Sequence, residues 1–319
     1  MRLGLDIGGT KTAAVVLNDD GSLAVLRTAA SGYGAGDVLR VAIALARDAV
    51  VEADGQLDFI GACMPGLVDP ATGIVRHAVN LGIADLNLAA ELEIVLGLPV
   101  TVENDVKAAA LGAHGILTAR AGGTSTAPST LASNETLAYL NLGTGLAAAV
   151  VLNGRVLRGP DGMLGEIGHL PVGGSTRCAC GQVGCLETIA SGSALTRMWA
   201  PSEAAGRDPF TAARAGDRQA SVAASELCRG IALAIQVLAL AAGAGRIVIG
   251  GGLAALGTPL EDGIRRELDE RGRLSPFVGS LGLAERFELL PSHIPIAALG
   301  AAALPQQPRS PIKALTRQQ

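Results

Sequence analysis

The chain has 319 residues, 49% apolar and 17% charged, with a mean hydropathy of +0.40. This composition excludes a disordered or coiled-coil chain, and the length suits about two domains. Lys and Arg number 25 against 29 Asp and Glu, a net charge of −4, and aromatics are only 2%, which disfavours a strongly basic, base-stacking nucleic-acid binder.

In chain order, Arg2–Ile7 reads as a strand and Gly8-Gly9-Thr10 as a tight turn. Thr12–Leu17 is a second strand, Asp19-Asp20-Gly21 another turn, and Leu23–Arg27 a third strand. Asp6 arrives too early for the apolar region of a signal peptide. Val38, Val41, Ala42, Leu45 and Ala49 recur at helical spacing and predict an amphipathic helix over Asp37–Ala53. Leu57–Met64 is a strand ended by Pro65-Gly66, and Pro99–Glu103 another, feeding a helix from Asp105 to about Leu117. Arg120–Glu135, rich in Gly, Ser, Thr and Pro, reads as a mobile surface loop or hinge insert.

The opening pattern then returns. Strands at Leu137–Leu142, Leu146–Leu152 and Arg155–Leu157 are separated by Gly143-Thr144-Gly145 and by an Asn153-Gly154 turn. Two copies of strand, Gly turn, strand, turn, strand predict two related lobes, each a mixed sheet flanked by helices. Facing Gly turns would make a phosphate clamp. Helices follow near Ser193–Trp199 and Ser221–Ala242. The most lipid-like run, Ile231 to Ala244, is shorter than the roughly 20 residues a bilayer needs and holds Gln236, so it reads as a buried helix. The strand Arg246–Ile249, a Gly250-Gly251-Gly252 turn and a helix at Pro259–Arg271 precede a tail, residues 305–319, that reads as disordered.

Three motifs carry chemistry. In Asp6-Ile7-Gly8-Gly9-Thr10-Lys11-Thr12, bare glycines let backbone N–H groups converge on phosphate, Thr10 and Lys11 add donors, and Asp6 can hold Mg²⁺ through water. An ordinary hairpin turn is the alternative. Glu103-Asn104-Asp105-Val106-Lys107 lies at the C-terminal end of a strand, where α/β enzymes place ligands, although Asp105 can equally be a plain helix N-cap. The third motif is the most specific: Gly165-Glu166-Ile167-Gly168-His169 followed by Cys178, Cys180, Cys185 and Glu187. Three thiols and one imidazole would complete a tetrahedral Zn²⁺ site, structural because all four ligands come from the protein, the alternative being reduced, unliganded cysteines on a loop. The other two cysteines, Cys63 and Cys228, stand alone, so the pattern indicates a metal cluster in a reducing cytoplasm and not a disulfide framework. With one ring nitrogen of His169 on the metal, the other must carry a hydrogen, and Glu166 and Glu187 flank it, which suits the vicinal hydroxyls of a sugar.

These residues resemble the ROK family of sugar kinases, the bacterial glucokinase type, over about Arg2 to Leu304. The resemblance implies an α/β, two-lobed actin-like, sugar-kinase (ribonuclease-H-like) ATPase fold with duplicated mixed β-sheet cores and a structural zinc loop. It implies an N-terminal lobe of residues 1–118, completed by a C-terminal helix at 297–304, and a C-terminal lobe of residues 119–296. By the same resemblance Asp105 is the catalytic base, while Gly66, Asn80, Asn104, Glu166, His169 and Glu187 contact sugar. Gly8, Gly9, Thr10, Lys11, Gly143, Thr144, Gly145, Gly250, Gly251 and Gly252 bind ATP. His169, Cys178, Cys180 and Cys185 hold zinc, and Asp6 serves Mg²⁺. The implied activity is ATP-dependent phosphorylation of a hexose, glucose at O6 first, by a cytoplasmic homodimer with no nucleic-acid or membrane partner.

Two departures stand out. Lys107 occupies a position where the family often has a small polar residue, and Leu146-Ala147-Ala148 follows the second Gly turn where further glycines are common. Rival readings are N-acetylmannosamine, N-acetylglucosamine, mannose or fructose as acceptor, polyphosphate as donor, and a non-catalytic sugar-responsive regulator. A repressor of the same family would carry a DNA-reading winged helix, for which a first strand at Leu3 leaves no room.

Overall fold

The computed structural model describes residues 1–122, 135–200 and 208–306. Apart from their ends, the loop expected at Arg120–Glu135 and the tail expected over residues 305–319 lie outside the described residues. The chain divides into two compact units: Met1–Ala108 together with the residues from Ala297 onward, and Ala109–Ile296.

The first unit contains β1 (Arg2–Ile7), β2 (Lys11–Leu17), β3 (Leu23–Ala30), α1 (Ala35–Ala53), β4 (Phe59–Met64), β5 (Leu67–Asp69), β6 (Ile74–Ala78), β7 (Ile83–Asn87), α2 (Leu88–Leu96) and β8 (Val100–Asn104), and α3 (Asp105–Gly122) begins in it. Its main sheet has the order β3-β2-β1-β4-β8. β2 is antiparallel to β1 and β3, while β4 is parallel to β1 and β8. Val38, Ala42, Leu45, Ala46 and Ala49 of α1 pack with Leu3, Leu5, Ile7, Ile60 and Met64 in one buried cluster. Ala46, and not Val41, completes the buried stripe of α1. β5, β6 and β7 form a separate three-stranded antiparallel sheet that the sequence pattern did not reveal.

The second unit contains β9 (Leu137–Leu142), β10 (Leu146–Leu152), β11 (Arg155–Leu157), α4 (Gly192–Met198), α5 (Pro209–Arg214), α6 (Arg218–Ala241), β12 (Arg246–Gly250), α7 (Thr258–Leu274), α8 (Pro276–Ser280) and β13 (Phe287–Leu289). Its sheet order, β11-β10-β9-β12-β13, matches that of the first unit strand for strand. The directions match too: β10 is antiparallel to both neighbours, and β12 is parallel to β9 and β13. The expected repetition is therefore a repetition of topology. Asp217 caps α6 by accepting from Ala220 N (3.0 Å), so the helix starts at Arg218, ahead of the periodic apolar residues. α6 is long and apolar enough to cross a membrane by length and composition, but Leu227, Ile231, Ile235 and Leu238 are buried in this unit's core.

The last helix among the described residues, α9 (Ile296–Ala302), returns to the first unit, where Ala298 and Ala302 pack on Ala13 and Val15 of β2. Two glycines allow this approach. A Cβ on Gly4 of β1 would lie 2.1 Å from Ala298 O, and one on Gly61 of β4 would lie 1.8 Å from Ala301 O. Arg2 ties off the helix end: Nε donates to Ala302 O and Nη2 to Leu304 O, and the guanidinium lies 4.1 Å from the Phe59 ring centre.

Candidate active site

In the first unit, strand register lines up the acids. Asp6 on β1 pairs with Cys63 on β4, and Cys63 pairs with Glu103 on β8. Asn104 and Asp105 follow Glu103, at the C-terminal end of the parallel strands, the usual ligand side of such sheets. Asn104, not Asp105, takes the cap of α3: its Oδ1 accepts from Val106 N (3.1 Å) and Lys107 N (3.2 Å). Its Nδ2 donates to Asp105 Oδ1 (3.0 Å) and to Gly66 O (3.3 Å). Asn104 thus orients the Asp105 carboxyl and joins it to the Gly66 turn. Gly66 has φ +115° and faces Arg76 O, 2.6 Å from where a Cβ would be, so this turn needs glycine. Lys107 is buried and lies two residues along α3, a spacing that puts it on a different face of the helix from Asp105.

Asp6 is held at about 7, raised from 3.8 first by burial and then by the negative charge of Asp105. The Cys63 thiol donates to Asp6 Oδ1 (3.7 Å), and Lys11 offsets part of the rise. A deeply set carboxylate next to a second carboxylate is a donor set that suits a hard divalent cation, and Mg²⁺ fits it. The adjoining turn is closed by Gly8 N on Lys11 O (3.1 Å). Ser31 braces it, donating its N–H to Thr10 O (3.2 Å) and its hydroxyl to Gly8 O (2.6 Å). Asn80 sits in a 3₁₀ turn, with its Cβ 3.1 Å from where a Cβ on Gly9 would lie, so the glycine lets the two segments meet. Sequence reasoning missed Ser31 and Cys63. Only the strand register brings them to the turn.

In the second unit, Gly165–His169 lies along the edge of β10. Ala148 N donates to Gly165 O (2.8 Å), and Cβ atoms at Gly165 and Gly168 would fall 1.9 Å from Ala148 O and 2.0 Å from Leu146 O. These glycines are what let Glu166 and His169 follow the strand so closely. The next loop gathers His169, Cys178, Cys180 and Cys185 with all ligand atoms within 4.8 Å of one another. Cys180 Sγ and Cys185 Sγ are 3.7 Å apart, as are Cys178 Sγ and His169 Nδ1. A tetrahedral centre with Zn–S bonds of about 2.3 Å spaces its sulfurs about 3.8 Å apart, so the donor set fits zinc in size and chemistry. Burial pushes the Cys178 thiol up to about 12, and a backbone N–H from Gln182 draws Cys180 down to about 7. Nδ1 of His169 faces the thiols, which turns Nε2 outward. Glu187 links this loop to the second Gly turn: Oε1 lies 3.1 Å from Cys178 Sγ, and Oε2 accepts from Leu146 N (3.3 Å).

That turn, Gly143-Thr144-Gly145, is closed by Gly143 N on Gly145 O (3.1 Å) and held by α4, whose Ser193 Oγ donates to Thr144 O (2.7 Å). Gly143, Thr144 and Gly252 line one cavity of about 1310 Å³ with Ser193, Trp199 and Leu256. Gly250 and Gly251 lie behind this wall. Cβ atoms there would meet Tyr139 Oη (2.1 Å) and Leu142 C (2.6 Å). The start of α4 had no phosphate-loop signature, although Ser191, which accepts from Ala194 N (3.1 Å), is its sequence-visible cap.

Comparison with known proteins points one way. Residues 2–275 match the model of the ROK family. A glucokinase of Halalkalibacterium halodurans is 32% identical over 291 residues, covering 84% of each chain. An N-acetylmannosamine kinase of Yersinia pseudotuberculosis is 29% identical over 254 residues, 78% of this chain and 82% of that one. The crystal structure of a ROK family glucokinase from Streptomyces griseus in complex with glucose and AMPPNP superposes with a TM-score of 0.71 at 27% identity, covering 95% and 98% of the two chains.

Proposed function

The chain belongs to the ROK family, and from that premise we propose that it is an ATP-dependent sugar kinase acting on a hexose, glucose at O6 first. The observation that carries this reading is the cluster at the β8–α3 junction, where Asn104 takes the helix cap and holds the Asp105 carboxyl by its amide. Asp105 is the general base. It takes the O6 proton as O6 bonds to the γ-phosphorus, while the bond from that phosphorus to the bridging oxygen breaks and its electron pair leaves with ADP. Base help of this kind contributes about 10²–10⁴ in rate, and the rest comes from alignment and charge neutralisation.

We assign nucleotide to the cavity lined by Gly143, Thr144 and Gly252, a reading supported by the AMPPNP-bound neighbour, with Gly8, Gly9, Thr10, Lys11, Gly145, Gly250 and Gly251 shaping the phosphate and adenosine turns. Mg²⁺, when bound, supplies positive charge to the phosphate oxygens, and Asp6 would hold it through water. Cys178, Cys180, Cys185 and His169 Nδ1 would hold zinc, fixing His169 Nε2 as a hydrogen-bond donor. His169, Glu166, Glu187, Asn104, Asn80 and Gly66 are assigned to the sugar. The Yersinia relative makes N-acetylmannosamine the second acceptor to weigh.

A coupled ADP-release assay across hexoses and N-acetylhexosamines tests the substrate. Glucose is expected to give the highest kcat/KM. Asp105→Asn is expected to retain sugar binding and lose at least about 10²-fold in kcat, and near-normal turnover in that variant refutes the base assignment.

A further inference from the structure

The second unit holds another cavity, of about 630 Å³, walled by α5, α6 and α7. None of its lining residues has a role in the proposed reaction, and its volume falls within the roughly 300–1,000 Å³ of small-molecule sites. The floor is apolar: Phe210, Ala224 and Cys228 are buried. Gly263 closes it by letting α7 come against α6, since a Cβ there would be 2.5 Å from Cys228 Sγ.

The rim is cationic. Arg214 donates to Thr211 Oγ1 (2.9 Å) and Arg266 to Asp262 O (3.2 Å), and neither pairs with a carboxylate among the described residues. Glu267 on the same wall is engaged by Arg271 (3.1 Å), which leaves Asp262 as the opposing charge. Two guanidinium groups above an apolar floor suit a phosphate with a small apolar body, because the planar fork binds phosphate oxygens in pairs.

Two chain segments supply walls to both cavities. Asp208 lines the larger one and Phe210, two residues on, the smaller. Leu256 lines the larger one, and Thr258 and Pro259 the smaller. We propose that the smaller cavity is a binding site for an organic phosphate monoester, whose presence fixes these two segments and tightens nucleotide binding next door. The coupling, though not the site, rests on the nucleotide reading of the larger cavity. Linkage then requires nucleotide to tighten the phosphate ester by the same factor.

Calorimetry of the full chain with phenyl phosphate tests this. The wild type is expected to bind, R214Q/R266Q to bind at least about tenfold more weakly with an unchanged Tm, and Ser225→Phe, at an exposed position on the wall, to block the site. Phenyl phosphate and AMPPNP are each expected to tighten the other by about fivefold. No wild-type binding, equal affinity in R214Q/R266Q, displacement by AMPPNP, or equal binding of benzoate overturns the site. If phenyl phosphate binds as described but AMPPNP does not bind at all, the kinase reading fails and the site stands. If both bind without mutual effect, the coupling is overturned.

Discussion

Replacing Asp6 with Asn should stabilise the first unit while impairing catalysis. In the unfolded chain this carboxyl ionises near 3.8, and in the folded chain near 7, because burial and the Asp105 charge oppose ionisation. Between those values folding takes up a proton, so the Asp6 contribution to stability falls as pH rises through the window and reaches its full deficit above pH 7. About three pKa units at about 1.4 kcal/mol each give an upper value of about 4 kcal/mol, and relaxation around the site brings it to roughly 2–4 kcal/mol. Asn is nearly isosteric, and its Oδ1 still accepts from the Cys63 thiol, so the substitution removes charge and little else. Urea unfolding with a chelator present, followed by circular dichroism from pH 5 to 9, measures the difference. D6N should be more stable by roughly 2–4 kcal/mol at pH 8, and by less than about half of that at pH 5. Mg²⁺ with AMPPNP should raise the wild-type Tm and raise that of D6N much less. Equal stability at pH 8, or a gain that does not change with pH, would show that the carboxylate is not held at a cost.

Metal analysis of purified protein should find one zinc per chain, lost in Cys180→Ala together with a 10- to 100-fold rise in sugar KM, about the effect of disturbing groups that orient a site. AMPPNP affinity should change little in that variant. Gly168→Ala should lower stability by about 1–3 kcal/mol, since its Cβ would fall 2.0 Å from Leu146 O, and a Tm equal to wild type would contradict the close packing on β10. Arg2→Ala removes two bonds to carbonyls at and just beyond the end of α9 and the stacking on Phe59, and chemical denaturation should show a loss of about 2–3 kcal/mol that Arg2→Lys restores only in part.

The central strands were legible because they are long, apolar and bounded by Gly turns: β1, β9 and β10 match their expected limits residue for residue. The sheet of β5, β6 and β7 was not, because its strands have three to five residues and expose charges such as Arg76 and Asp85, which pair with each other (3.1 Å) on the surface. β13 is three residues long and stands only because β12 offers a parallel edge. At the site, the gathering of Cys178, Cys180 and Cys185 with His169 could be read from spacing alone, since a turn brings nearby cysteines together whatever the fold. The capping role could not. Asn104 and Asp105 are both good caps, and only the path from β8 into α3 decides between them. Cys63 carried no local signal, since its meaning depends on Asp6, 57 residues away in sequence.

The seat of α9 on Gly4 and Gly61 has a consequence for biosynthesis. The strands that carry Asp6 and Cys63 leave the ribosome early, but the helix that covers them comes only after the roughly 190 residues of Ala109–Ile296. At about 5–20 residues per second, that leaves the glycine-lined back of the nascent sheet bare for on the order of 10–40 s. During that interval the growing chain exposes a surface that its own helix α9 later occupies.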